Sequence, residues 1–260
     1  MTESVLFEKR NHTALLTLNR PQSFNAFGGE MVSTLADILT SVSSDDEVTG
    51  VVITGKGKAF CAGGDLRWLE ESGLSYYSAF HKLAAIYHRA VLEIRRMPKP
   101  VFAAINGFAA GGGFSMALAC DFRVMDSSAV MIQAYTSNGL SIDGGGTFTL
   151  PRIVGIARAL EIAAFDQPID AERALEWGLV TEVAKEGNCL DRALELLKRI
   201  TDGSLSSFAA VKRLLTDSFS TSLETQIEKE RESLSLCADH PNGREGVTAF
   251  LEKRKPVFNK

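Results

Sequence analysis

The sequence predicts an α/β fold, built on a mainly parallel sheet with helical crossovers and followed by a helical C-terminal region. Three observations carry this reading. Short apolar runs alternate with longer amphipathic stretches as far as Pro151. The runs are rich in β-branched and aliphatic residues, which suits buried strands. After Pro151 the strand signal nearly vanishes and apolar residues recur at helical spacing.

Taken in order, residues 14–18, 51–54, 101–105 and 122–125 read as strands. Between the first two, Met31, Leu35, Ile38, Leu39 and Val42 recur every three or four positions. Before the third, Phe80, Leu83, Ala84, Tyr87, Val91 and Ile94 do the same. Strand and helix in alternation give parallel strands joined by crossovers. Residues 190–200, 208–219, 223–236 and 244–255 read as helices. The expected division is a catalytic α/β core over residues 1–200 and a helical region over 201–260. Those last helices are amphipathic and need a partner surface.

The chain has 260 residues, 45% hydrophobic and 23% charged, an ordinary globular composition. That length suits one large domain, or one with a small appendage. A net charge of -4 argues against a nucleic-acid surface. Cys61, Cys120, Cys189 and Cys237 are widely spaced, and the four histidines fall in no ligand-like pattern, so no metal is expected. Free thiols suit a reducing compartment. No apolar run approaches the roughly 18 residues of a membrane span. Residues 1–10 show no secretory pattern and residues 258–260 are not a peroxisomal signal. The expectation is a cytoplasmic protein with no membrane or nucleic-acid partner.

Two glycine turns hold the chemistry. Asn106-Gly107-Phe108-Ala109-Ala110-Gly111-Gly112-Gly113-Phe114-Ser115 follows one strand and opens the small-residue helical run at 116–120. Ala59-Phe60-Cys61-Ala62-Gly63-Gly64-Asp65-Leu66 follows another strand. A strand, a glycine turn and a helix start expose backbone N–H groups, and glycine lets a ligand atom approach the main chain. Two such turns aimed at one oxygen would make an oxyanion hole; separately, each is also an ordinary tight turn.

Other motifs lead elsewhere and fail. Residues 50–56 fit GxxxxGK, but Gly57 follows where a P-loop needs Ser or Thr, and the intervening residues read as a strand. No GxGxxG follows a strand, and Ser115 lacks GxSxG order.

The paired turns resemble the two signature segments of the crotonase (enoyl-CoA hydratase/isomerase) superfamily. The similarity runs in order through Leu18-Asn19-Arg20-Pro21 with Asn25-Ala26, residues 139–155, Ala174-Leu175-Glu176-Trp177-Gly178-Leu179-Val180 and residues 244–254. Ile132-Gln133-Ala134-Tyr135 with Leu150-Pro151-Arg152 is most similar to the ring-epoxide isomerase branch and its enoyl-CoA isomerase relatives. The resemblance implies a spiral of ββα units whose C-terminal helices drive trimers, often dimers of trimers. It implies an acyl-CoA thioester as substrate, with coenzyme A as part of that substrate and no separate cofactor. Gly64 and Gly112 would donate the two N–H groups to a thioester enolate.

The superfamily's hydratases hold water with two glutamates. By motif position these fall at Ser115 and Tyr135, so both are absent. A hydroxyl and a phenol ionising near about 10 are poor bases at neutral pH. Asp143 falls where isomerases and a benzoyl-CoA dehalogenase carry a functional aspartate; without the resemblance it reads equally as a turn or helix-capping residue. One carboxylate in a dry pocket suffices for a 1,3-proton shift. Tyr135 would hydrogen-bond the acyl group or Asp143, although on its own it also reads as core packing. His88 falls where the dehalogenase carries a water-activating histidine, although on its own it reads as solvated or packing. Main chain near Arg20, Ala26, Ala62, Asp65 and Leu66 would hold coenzyme A, while Leu66, Arg67 and the segment to Tyr77 shape the acyl pocket. Asp65 reads equally as a helix cap. Phe250 and Lys253, one helical turn apart, would cover a neighbour's adenine and phosphate; Lys253 also reads as part of a solvated helix face. The expected activity is an isomerase moving a double bond between the 3 and 2 positions of an acyl-CoA, or rearranging a related ring-derived acyl-CoA. The alternatives are an enoyl-CoA hydratase, an aryl-CoA dehalogenase and a non-catalytic acyl-CoA binder.

Overall fold

The computed structural model describes residues 3–259. Met1, Thr2 and Lys260, which enter the two terminal-signal readings, lie outside the described residues. The order is β1 (Val5–Arg10), β2 (Thr13–Leu18), α1 (Gly29–Ser44), β3 (Gly50–Gly55), β4 (Ala59–Cys61), α2 (Leu66–Glu71), α3 (Tyr76–Arg96), β5 (Val101–Ile105), β6 (Phe108–Ala110) and α4 (Gly112–Ala119). It continues with β7 (Phe122–Asp126), β8 (Val130–Ile132), α5 (Gly146–Phe165), β9 (Ile169–Asp170), α6 (Ala171–Glu176), β10 (Glu182–Ala184), α7 (Cys189–Thr201), α8 (Leu205–Asp217), α9 (Leu223–Asp239) and α10 (Pro241–Leu251).

Two sheets share these strands. The larger has the order β1-β2-β3-β5-β7-β10 and the smaller β4-β6-β8-β9. Among the described residues only β1 with β2 and β8 with β9 pair antiparallel. Each of the pairs β3–β4, β5–β6 and β7–β8 gives one strand to each sheet and then passes into helix, so the chain winds as repeated ββα turns.

The central strands are buried on both faces, which is why they read as continuous apolar runs rather than alternating ones. Along β5, Val101, Ala103 and Ile105 face the main core with α1 and α3. Phe102 and Ala104 face a second cluster with Ala193 and Leu197 of α7. The period of two assigns each residue to one face. Residues 50–55 are indeed a fully buried strand, which removes the phosphate-loop reading.

The sequence expectation missed six strands. Five of them have only two or three residues, too few to show a pattern. β1 is an edge strand whose residues Phe7–Arg10 are exposed and mostly charged. Two of the missed strands, β9 and β10, lie beyond Pro151. The last helix also differs from the expected 244–255. It starts at Pro241, where His240 Nδ1 accepts the Asn242 N–H at 3.1 Å, and ends at Leu251. Lys253 follows in the left-handed region at φ 57°, so Phe250 and Lys253 do not share a helical face.

Lys212 anchors α8 to the core. Its ammonium is buried and donates to Asp121 Oδ2 at 2.7 Å, Ile94 O at 3.0 Å and Lys99 O at 3.1 Å. On α9 and α10, Leu223, Leu234, Phe250 and Leu251 remain exposed. Among the described residues no helix is long and apolar enough to cross a membrane.

Candidate active site

The topology brings the two glycine turns together. Strands β4 and β6 are parallel neighbours, so the turns that leave them lie side by side. Gly63 takes φ +89° and Gly111 φ +52°, conformations that disfavour a side chain. A Cβ added to Gly63 would stand 3.0 Å from Gly112 N. Among the described residues, neither Gly64 N–H nor Gly112 N–H meets an acceptor. Gly112 also opens α4, whose N-terminal end adds partial positive charge.

Both glycines border a cavity of about 820 Å³. Phe27, Leu66, Tyr76, Tyr77, Phe80 and Phe108 make much of its apolar wall, and Ala62 contributes beside the turn. Tyr135 and Asp143 close the same space. Asp143 is its only carboxylate among the described residues.

Asp143 sits in the turn before α5, with its side chain one-third exposed. Tyr135 is nearly buried and donates its phenol to Asp143 Oδ1. Burial raises that phenol far above its usual range, and the Asp143 charge raises it further, so Tyr135 remains a donor. Ser115 lies in α4, completely buried and outside the cavity wall. Its Oγ has no partner at hydrogen-bonding geometry, though it adjoins Tyr135 closely enough to favour the ionised phenol. At the two positions where the resemblance placed glutamates, this site therefore has an enclosed hydroxyl and a protonated phenol. His88 Nε2 accepts the Gly144 N–H at 3.2 Å and stands 3.7 Å from Asp143 Oδ2, with its ring half-exposed.

The remaining sequence-derived residues are placed as follows. Arg20 donates to Ala26 O at 2.6 Å and pairs with Asp65 Oδ2 at 2.8 Å. Asp65 Oδ1 also accepts the Arg67 N–H at 3.2 Å, capping α2. These side chains form a brace behind the first turn. Arg67 is exposed and borders no part of the cavity. Phe250 and Lys253 are exposed and do not join the cavity within one chain. Sequence reasoning missed Phe27, Phe80, Leu83 and Tyr87 as cavity residues. The last three belong to the helical repeat read as core packing, and only their register against the glycine turns could have separated wall from core.

A mainly parallel ββα spiral thus sets two glycine turns side by side on one apolar cavity, with main-chain N–H groups left free for a ligand, and comparison with known proteins gives the family. The chain belongs to the enoyl-CoA hydratase/isomerase family, whose sequence model matches residues 8–260. It is 35% identical to 1,2-epoxyphenylacetyl-CoA isomerase of Escherichia coli (strain K12) over 99% of both chains. It is 34% identical to crotonyl-CoA hydratase of Syntrophomonas wolfei over 98% of both. The crystal structure of an enoyl-CoA hydratase from Polaromonas sp. JS666 superposes with a TM-score of 0.93 at 37% identity, covering 98% of this chain and 99% of that one. The fold is thus crotonase-like.

Proposed function

We propose that this chain is an acyl-CoA isomerase that moves a double bond from the 3 to the 2 position, or rearranges a related ring-derived acyl-CoA. One observation carries the reading: among the described residues Asp143 is the sole carboxylate on a cavity that Gly64 and Gly112 also line. The thioester oxygen accepts the two N–H groups, which acidifies the neighbouring carbon. Asp143 takes a proton from carbon 2 as the electrons move into the enolate. It then returns a proton to carbon 4 as the conjugated double bond forms. The bookkeeping closes with one base and no added water. A hydration mechanism would need a second group to hold water, and Ser115 is buried away from the cavity while Tyr135 keeps its proton.

The spacing of His88 and Asp143 supports a second reading, dehalogenation of an aryl-CoA. There Asp143 attacks the ring carbon and displaces halide, and His88 activates the water that hydrolyses the aryl ester. Coenzyme A contacts by the main chain near Arg20, Ala26, Ala62 and Leu66, and assembly into trimers that bring Phe250 and Lys253 to a neighbour, belong to the proposal.

The test is turnover of a 3-enoyl-CoA and a 2-enoyl-CoA, followed by ultraviolet absorbance with product identification. Gain of conjugation from the first, with little 3-hydroxyacyl product from the second, is expected. Efficient hydration of the 2-enoyl substrate contradicts the isomerase, and halide release from a halobenzoyl-CoA selects the second reading.

A further inference from the structure

The two oxyanion turns and the Asp143 turn come from separate parts of the chain, and one aromatic pair touches all three. Phe27 is held by backbone bonds to the first turn: its N–H donates to Gly63 O at 2.8 Å and its carbonyl accepts the Asp65 N–H at 3.0 Å. Its ring lies against Gly112, where a Cβ would overlap it. The same ring stacks on Tyr87, with centroids 4.8 Å apart. Tyr87 is 1% exposed and donates its phenol to Gly112 O at 2.6 Å. The Tyr87 ring also adjoins Gly144, where a Cβ would stand 2.6 Å from the phenol oxygen. Gly144 is next to Asp143 and has φ +60°, so both its conformation and its contact exclude a side chain.

We infer that Tyr87 is a positioning residue: with Phe27 it acts as a strut that fixes Gly112 and the Asp143–Gly144 turn at the separation enolate formation requires. The inference rests on the proposed roles of Gly112 and Asp143. Its physical basis is that the Tyr87 hydroxyl fixes the Gly112 carbonyl, and with it the first peptides of α4. The ring meanwhile sets how closely the Asp143 turn approaches. Preorganised donors act only if they point at the developing charge, and a misplacement of about 1 Å costs on the order of 100-fold in rate.

The test is Tyr87→Phe, which keeps the ring and removes the hydroxyl, beside Phe27→Leu, which removes the stack. The readouts are kcat, KM, melting temperature and the red shift of a conjugated arylacryloyl-CoA on binding, which reports carbonyl polarisation directly. For Tyr87→Phe the expected result is kcat down about 10- to 100-fold, KM within about threefold, and a smaller red shift in folded protein. Phe27→Leu should reduce the red shift likewise. An unchanged kcat and red shift overturns the inference. So does a rise in KM alone, which marks Tyr87 as mere cavity wall. A lower melting temperature with kcat per folded enzyme unchanged also overturns it. If the native enzyme turns over no enoyl-CoA, the isomerase reading fails, but the red shift still judges the strut.

Discussion

Tyr135 donates its phenol to Oδ1 of Asp143, leaving Oδ2 as the carboxylate oxygen not bound by the phenol. The bond joins the residue that the resemblance sets at one glutamate position to the only carboxylate of the cavity among the described residues. On the proposed isomerase mechanism it makes Tyr135 part of the proton-transfer apparatus without making it a base. A hydrogen bond to a charged group contributes about 1.5–3 kcal/mol. Tyr135→Phe should therefore lower kcat by about 10- to 100-fold while leaving an active enzyme, measured as isomerisation rate against melting temperature. Full activity in Tyr135→Phe would mean that Asp143 needs no partner.

The same phenol ties stability to pH. Burial, then the Asp143 charge, raises Tyr135, and burial raises Tyr87. The unfolded chain loses these protons near about pH 10 while the folded chain keeps them. Above that pH the unfolded state binds fewer protons, so stability falls as pH rises; below it these two groups add no slope. Melting temperature followed over about pH 9 to 11 should fall, and fall less steeply in Tyr135→Phe. Identical slopes would place the Tyr135 phenol in water.

The two donor glycines should differ as sites of substitution. A Cβ on Gly112 overlaps the Phe27 ring, whereas on Gly64 its nearest neighbour is Leu83 Cδ2 at 3.7 Å. Gly112→Ala should cost about 1–3 kcal/mol through overpacking and lower kcat by about 100-fold or more as the donor moves. Gly64→Ala should fold with little loss. Denaturant melts and kcat for both variants check this, and equal stability would show that the Phe27 ring can yield.

Much of this was legible in the sequence. The glycine turns stood out as strand–glycine–helix segments that expose main-chain N–H groups, and the fold sets them side by side, with a Cβ on Gly63 only 3.0 Å from Gly112 N. The long central strands were visible because burial on both faces makes them largely apolar. The second sheet was not, since strands such as Ala59–Cys61 and Phe108–Ala110 are too short to carry a period. Asp143 could be weighed as cap or catalyst, and the resemblance already offered Tyr135 as its partner or the acyl group's, but the choice between those two and the nearness of His88 depend on how α5 packs. Tyr87 looked like one more core position of a helix, and its hydroxyl bond to Gly112 has no signature in sequence.

Lys212 provides a test of the C-terminal anchoring. Burial lowers its affinity for a proton and raises that of Asp121, so desolvation opposes the charges that their pairing favours. Breaking such a pair on one side costs about 3–5 kcal/mol. Lys212→Met should lower the denaturation midpoint strongly, and Lys212→Met with Asp121→Leu should recover much of it. A single variant as stable as the native protein would show that α8 is held by its apolar contacts alone.

Thiol chemistry reports the rigidity of the first turn. Burial pushes Cys61 and Cys120 up to about 12, and Cys189 is also buried, while Cys237 is partly exposed. A thiol reagent at neutral pH should label Cys237 first and the other three only on unfolding. Rapid labelling of Cys61 would show that the turn carrying Gly64 opens in the native state.

The central claim is that Asp143 alone moves the proton. The most direct measurement is the rate at which Asp143→Asn and the native enzyme convert a 3-enoyl-CoA to its conjugated isomer, with folding checked by melting temperature and binding by a saturated acyl-CoA. Removing a general acid–base group costs about 100- to 10,000-fold. A loss of that size in kcat is expected, with a folded protein that still binds acyl-CoA. An Asp143→Asn enzyme that isomerises at the native rate would contradict it and move the search for the base elsewhere in the cavity.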